Sequence, residues 1–253
     1  MMKPEVNLTE CWITADWPVP DHVHAGCSTR IGGISRPPYD ELNLGMHVGD
    51  RKTDVLKNRE LFIQAIALPA APAWLQQQHG NQVINIDKET HETRADGAYA
   101  SQPGLVCTVL TADCVPVLLC SDDGREIAAV HAGWRGFSKD IIGGAVQRFS
   151  TTCKHISAWI GPCIDGQHYE TDENVKESCL AIPGTGENAF LSSRPGHYLT
   201  DLKVLVRQRL QEMGVGRIYG GQFCTYTHSR LFFSCRREGT TGRFASLIWM
   251  DST

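Results

Sequence analysis

The segment Leu105–Phe149, LVCTVLTADCVPVLLCSDDGREIAAVHAGWRGFSKDIIGGAVQRF, decides the fold. Leu105–Leu110 and Val115–Cys120 are apolar runs of strand length, and Glu126–Val130 is a third. Thr111-Ala-Asp-Cys114 joins the first two runs, and the third runs straight into His131-Ala-Gly-Trp-Arg-Gly136. Titratable residues thus stand at strand ends, where a rigid scaffold can aim them into a pocket. Phe137–Phe149 reads as a helix, with Phe137, Ile141, Ala145 and Phe149 every four residues.

His22–Ser28 reads as a strand after an extended, proline-bearing entry over residues 1–21. The Gly32-Gly33 pair lies in a loop where backbone can approach a ligand. Thr53–Leu68 predicts a helix with Leu56, Phe62, Ile63 and Ile66 on its apolar side, stopped by Pro69. Ala73–Gln77 and Gln82–Ile86 read as strands flanking a turn that carries His79, and Arg94–Tyr99 as a polar approach to the central segment. Ile156–Ile160 is a strand and Asp172–Ala181 a helix, followed by a loop over Pro183–Pro195. Leu199–Met213 predicts an amphipathic helix, capped at Thr200 or just before it and closed by Gly214 and Gly216. Arg217–Gly220, Leu231–Ser234 and Phe244–Trp249 complete the strands. With no repeat or linker, and strands in adjacent groups, the pattern predicts one α+β domain over residues 1–253.

Bulk properties exclude several classes. The chain has 253 residues, 42% apolar and 21% charged, enough to bury a core without staples. A net charge of −4 without a basic block argues against nucleic acid and anionic membranes as partners. The N-terminus lacks an apolar h-region, so a cytoplasmic protein is expected, and the ten scattered cysteines, with no C-x-x-C, are expected to be reduced thiols.

His79, Cys114 and His131 all follow strands. A thiolate and two imidazoles suit zinc, and three protein ligands leave a fourth position open, the pattern of a catalytic site. The same atoms also suit a cysteine hydrolase, with Cys114 as nucleophile, His131 as base and Asp113 as orienter. Arg30 is a candidate anion clamp. Arg135 precedes a helix whose amides could also bind an anion. Arg236, Arg237 and Arg243 read as a solvated or salt-bridged face. A cytidine-deaminase site is excluded, because H-x-E and P-C-x-x-C are absent. Rossmann and Walker signatures are absent too.

Ser28-Thr-Arg-Ile-Gly-Gly33, Leu42-Asn-Leu-Gly45, Gln78-His-Gly80, Thr111-Ala-Asp-Cys114, His131-Ala-Gly-Trp-Arg-Gly136, Gly161-Pro-Cys-Ile164 and Thr241-Gly-Arg243 together resemble the YfiH-type proteins. These are also called laccase-domain or polyphenol oxidoreductase proteins and are read as purine nucleoside phosphorylases. The resemblance implies Zn2+ on His79, Cys114 and His131. It implies phosphorolysis of adenosine, inosine, guanosine and methylthioadenosine, with adenosine deamination beside it and Cu2+-dependent phenol oxidation as an alternative. Its implied fold is a layered α/β sandwich with mixed sheets, similar to the catalytic domain of cytotoxic necrotising factor, a Cys–His hydrolase. Amide hydrolysis of a cell-wall nucleotide precursor is a further implied alternative. On this reading purine nucleosides and phosphate are the partners, held by Arg30, Arg135 and, at the sugar, Asn43. Asp113 carries a proton or orients a ligand, and the protein is a monomer or homodimer.

Overall fold

The computed structural model describes residues 10–87 and 93–251. In chain order these form β1 (Trp12–Thr14), β2 (Val23–Ser28), α1 (Lys52–Ala65), β3 (Val83–Asn85), β4 (Gly97–Ala100), β5 (Val106–Thr111), β6 (Val115–Ser121) and β7 (Ile127–Ala132). There follow α2 (Trp134–Phe137), α3 (Ile141–Val146), β8 (Ile156–Ile160), β9 (Glu170–Asp172), α4 (Glu173–Leu180), β10 (Phe190–Arg194) and β11 (His197–Thr200). The chain closes with α5 (Leu202–Glu212), β12 (Arg217–Gly220), α6 (Cys235–Glu238) and β13 (Phe244–Met250).

The strands make an antiparallel sheet β1-β2-β13-β5, a mixed sheet β12-β8-β6-β7-β4-β3, and a small sheet β10-β11-β9. This is an α+β fold with mixed and antiparallel sheets. The central strands are apolar throughout because both of their faces are covered. Val115, Val117 and Leu119 of β6 pack with Ile141, Leu205 and Leu210 of the helices. Leu118 and Cys120 point the other way, into a core shared with Cys107 and Val109 of β5. Val106 and Leu110 of β5 then face Phe62 of α1. Period-two alternation thus divides each run between two cores, giving helix, sheet, sheet and helix layers. No helix among the described residues is long and apolar enough to cross a membrane.

Several elements differ from expectation. The helix over Phe137–Phe149 is broken: α2 ends at Phe137, Asp140 adopts φ 60°, and α3 restarts at Ile141. The Asp140 carboxylate accepts from Gly143 N–H and is gripped by Arg209 at 2.8 and 2.6 Å, so a tertiary ion pair overrides the period. In α1, Leu56 is exposed, and Val55, Asn58 and Phe62 form the buried face. Asn58 faces inward because its amide binds Ser35, Glu41 and Asn43 while accepting from Ile34 N–H. Ala73–Gln77 and Leu231–Ser234 are irregular, and Phe190–Arg194, inside the expected loop, is a strand. Gly97–Ala100, which overlaps the expected polar approach over Arg94–Tyr99, is the strand β4. Asp201, not Thr200, caps α5 by accepting from Lys203 and Val204 N–H. Residues 1–9 of the entry segment lie outside the described residues.

Candidate metal centre and active-site cleft

β5 leaves the four-stranded sheet at Thr111, and β6 enters the six-stranded sheet at Val115. Cys114 therefore sits at the crossing between sheets. Val115 is paired with Ala132, which brings His131 at the end of β7 beside it. His79 comes from the turn before β3 and has φ 54°. The ligand atoms of His79, Cys114 and His131 all lie within 4.8 Å of one another. Gly133 allows this approach: a Cβ there would stand 2.8 Å from Cys114 Sγ and 3.0 Å from His79 Nδ1.

Asp96, one residue before β4, was missed by sequence reasoning. It is 1% exposed, and its Oδ1 lies 2.8 Å from His131 Nδ1, leaving Nε2 for the centre. Its carboxylate also accepts the N–H groups of Gln78, His79 and Gly80 at 3.1, 2.9 and 2.7 Å. One buried carboxylate thus orients one imidazole and shapes the turn that carries the other. Burial pushes the Asp96 carboxyl up, but the His131 hydrogen bond and these amides outweigh it and hold it low. Burial likewise pushes the Cys114 thiol up, and the charge and hydrogen bond of His131, then those of His79, bring it well below the usual thiol range. Burial lowers the His131 imidazole, but the Cys114 thiolate and Asp96 raise it. The only local sequence signal for Asp96 is an acid directly before a glycine-led strand.

The donor set fits a zinc-sized ion. Bonds of about 2.0–2.1 Å to nitrogen and 2.3 Å to sulfur would place tetrahedral ligand atoms about 3.4–3.6 Å apart. That is inside the 4.8 Å span of this cluster. The cleft above it encloses about 540 Å3, and Trp134, Arg135, Tyr169, Arg236 and Arg243 line it.

The other expected site residues divide. Arg135 lines the cleft, its guanidinium 4.5 Å from the Trp134 ring centre. Asp113 lines it too, at φ 95°, with its carboxylate accepting from Thr225 Oγ1 at 2.6 Å and Arg236 N–H at 2.7 Å. Arg30 is not among the lining residues: it donates to Glu238 at 2.6 Å and to Asp40 O at 2.8 Å, and lies over Phe233. Asn43 is fully buried, donating to Asp50 and accepting from Gly45 and Arg243 N–H. The Gly32-Gly33 loop closes on its own chain, since a Cβ at Gly33 would meet Glu41 O at 2.2 Å. Arg236 and Arg243, expected on a solvated face, instead edge the cleft.

Fold and site together define a class: an α+β protein with a His–Cys–His cluster, able to hold a metal, at the seam of two stacked sheets. The chain belongs to the family described as multi-copper polyphenol oxidoreductase laccase, whose model matches residues 24–251. It is 46% identical over 239 residues to the purine nucleoside phosphorylase YfiH of Shigella flexneri, covering 94% of this chain and 98% of that protein. It is 39% identical over 241 residues to a purine nucleoside phosphorylase of Haemophilus influenzae, covering 94% and 99%. Among solved structures, a Neisseria meningitidis protein matches with a TM-score of 0.89 at 38% identity over 96% of this chain and 100% of that one. YlmD from Geobacillus stearothermophilus matches with a TM-score of 0.88 at 31% identity over 96% and 97%. The YfiH-type resemblance read from the sequence stands.

Proposed function

We propose that this chain is a purine nucleoside phosphorylase acting on adenosine, inosine, guanosine and methylthioadenosine, with Zn2+ held by His79, Cys114 and His131. The observation that carries the reading is a thiolate–imidazole cluster beneath three arginines, Arg135, Arg236 and Arg243, in one cleft. Arg236 donates to Glu170 O, and Arg243 uses only Nη1, toward Thr241 O and Gly242 O, so donors remain for an inorganic phosphate, which arginine grips through charge-assisted, often bidentate hydrogen bonds. A phosphate oxygen bonds to the ribose C1′ while the C1′–N9 bond breaks. The purine leaves with the electron pair and takes up a proton.

Zinc bound here would supply Lewis acidity toward a substrate oxygen. The chain's own residues do the rest. Asp96 fixes the ring orientation of His131 and the turn of His79. Asp113 holds the Cys114 turn through Thr225 and Arg236, which makes it a positioning residue. Tyr169 and Trp134 wall the cleft. Adenosine deamination is assigned to the same cleft as a side reaction. Copper in these ligands would be the oxidase reading. The His79, Cys114 and His131 cluster is a single three-ligand group, which suits one ion.

Inosine and phosphate incubated with the protein should yield hypoxanthine and ribose 1-phosphate in equal amounts, and adenosine should release some ammonia. No base release from any purine nucleoside overturns the reading. One observation favours a second reading: Cys114, His131 and Asp96 follow the order of a nucleophile, base and orienter. A Cys–His amidase, akin to the necrotising-factor domain, would hold no stoichiometric zinc and would lose Cys114 to alkylation. Zinc at one per chain with Cys114 protected from alkylation rejects it.

A further inference from the structure

A second hollow of about 470 Å3 adjoins the arginine-edged cleft, and the two share His47, Gln77 and Leu110. Their chemistry is opposite. The first lobe holds Arg135, Arg236, Arg243 and the His–Cys–His cluster. The second is lined by Trp74, Met46, Leu75, Gln76 and Gln78. Its one cation, Arg59, is committed: Nε and Nη2 donate to Leu44 O at 3.0 and 2.8 Å, and the guanidinium lies 3.9 Å from the Trp74 ring centre.

We infer that this second lobe is the nucleobase subsite, in which Trp74 and Arg59 form the wall against the ring and Gln76 and Gln78 read its hydrogen-bonding edge. The inference rests on the phosphorylase reading for its substrate class and adds the residues that select the base.

Three observations carry it. Carboxamides each offer one acceptor and two donors, the complement of a purine edge, and a bidentate glutamine is a standard partner of adenine. The side chains of Gln76 and Gln78 have no hydrogen bond to the described residues, although their backbone N–H groups donate to Thr93 O and Asp96. Gln77 between them is locked: its Nε2 donates to Leu110 O at 2.8 Å and its Oε1 accepts from Leu110 N–H at 2.7 Å. That pair of hydrogen bonds to β5 anchors the segment, which runs directly into His79. The base-reading amides and a cluster ligand therefore share one short stretch held at both ends, by Leu110 and by Asp96. A nucleoside spanning the shared ridge would place its sugar between the base lobe and the phosphate lobe.

The test uses Gln76→Ala/Gln78→Ala, a double change at two exposed side chains. The expected result is a rise of roughly tenfold or more in KM for purine nucleosides, with an altered ranking of adenosine, inosine and guanosine and an unchanged KM for phosphate. Unchanged nucleoside KM and ranking overturn the inference while leaving the phosphorylase reading intact. Calorimetric titration with adenine and hypoxanthine separates the two ideas. If the wild-type chain cleaves no nucleoside but binds free base, and the double variant binds it at least tenfold more weakly, the subsite stands and the phosphorylase reading falls. Equal affinity in both proteins, or no binding to the wild type, removes the subsite. A circular dichroism spectrum matching wild type excludes misfolding, and Gln76→Asn/Gln78→Asn is expected to restore part of the lost affinity.

Discussion

The His79–Cys114–His131 cluster and the Arg30–Glu238 network are both polar assemblies set among apolar side chains, and they are built in opposite ways. Around Glu238, every direction is closed. Its carboxylate accepts from Arg30, Arg237, Thr241 and Ser234 N–H, while Arg30 also donates to Asp40 O and Ser229 O. Around Cys114, Asp96 closes one side and the cleft leaves the other open. A saturated network spends its charge on holding loops together. A network supported on one side and facing a cleft on the other can direct its charge toward a ligand. The motif containing Arg30 therefore does its observed work inside the loops, and the arginines at the cleft come from other parts of the chain.

Removing the centre of the open cluster should have the largest functional effect. Cys114→Ala is expected to lower kcat/KM for inosine by roughly 10³-fold or more with a midpoint of urea unfolding near that of wild type. Zinc content after dialysis should fall with it. Retained activity would break the contrast at its root.

Asp96→Asn probes the support beneath the cluster. The expected loss is about 10–100-fold in metal affinity or activity, read by metal analysis after graded chelation and by steady-state kinetics. Because Asp96 also ties the amides of Gln78, His79 and Gly80, thermal stability should drop as well. A variant that keeps its metal affinity would mean that His131 is oriented by something other than this carboxylate.

Arg30→Ala addresses the closed network. It should cost about 1.5–3 kcal/mol of stability, measured by urea unfolding, with KM for phosphate unchanged. A rise in that KM with stability preserved would return Arg30 to the anion-clamp role its motif suggests.

The smallest effect concerns pH. Burial pushes the Glu238 carboxyl up, but the Thr241 hydroxyl and the Arg30 and Arg237 guanidiniums outweigh it and hold it down to about 2, against an ordinary 4.5. With the folded value depressed, its contribution is present above about 4.5 and is lost as pH falls from there through about 2. Glu238→Gln should lower the melting temperature near neutral pH and flatten its acid dependence across that window. Parallel acid profiles for wild type and variant would show that Glu238 is not held low.

Much of this was legible in the chain itself. β5, β6, β8 and β12 lie within a residue or so of their expected bounds, β5 and β6 because Val and Leu dominate them, and β8 and β12 because a short run bearing Ile and an aromatic stops at a glycine. The His–Cys–His set was readable from residue type and from the strands before each member. Asp96 was not, since an acid beside a glycine acquires meaning only when β4 is paired with β7 and sets it against His131. The same limit hid the break at Asp140, whose partner Arg209 lies on α5, and the cleft role of Arg236 and Arg243.

Residue type and local period were enough for the central strands β5, β6, β8 and β12, the α+β class, the candidate His–Cys–His set and the family resemblance. Only the tertiary structure decided which charges are spent and which are available. A guanidinium or carboxylate has the same formula in a closed network and in an open cleft, and its role follows from the number of partners that surround it after folding.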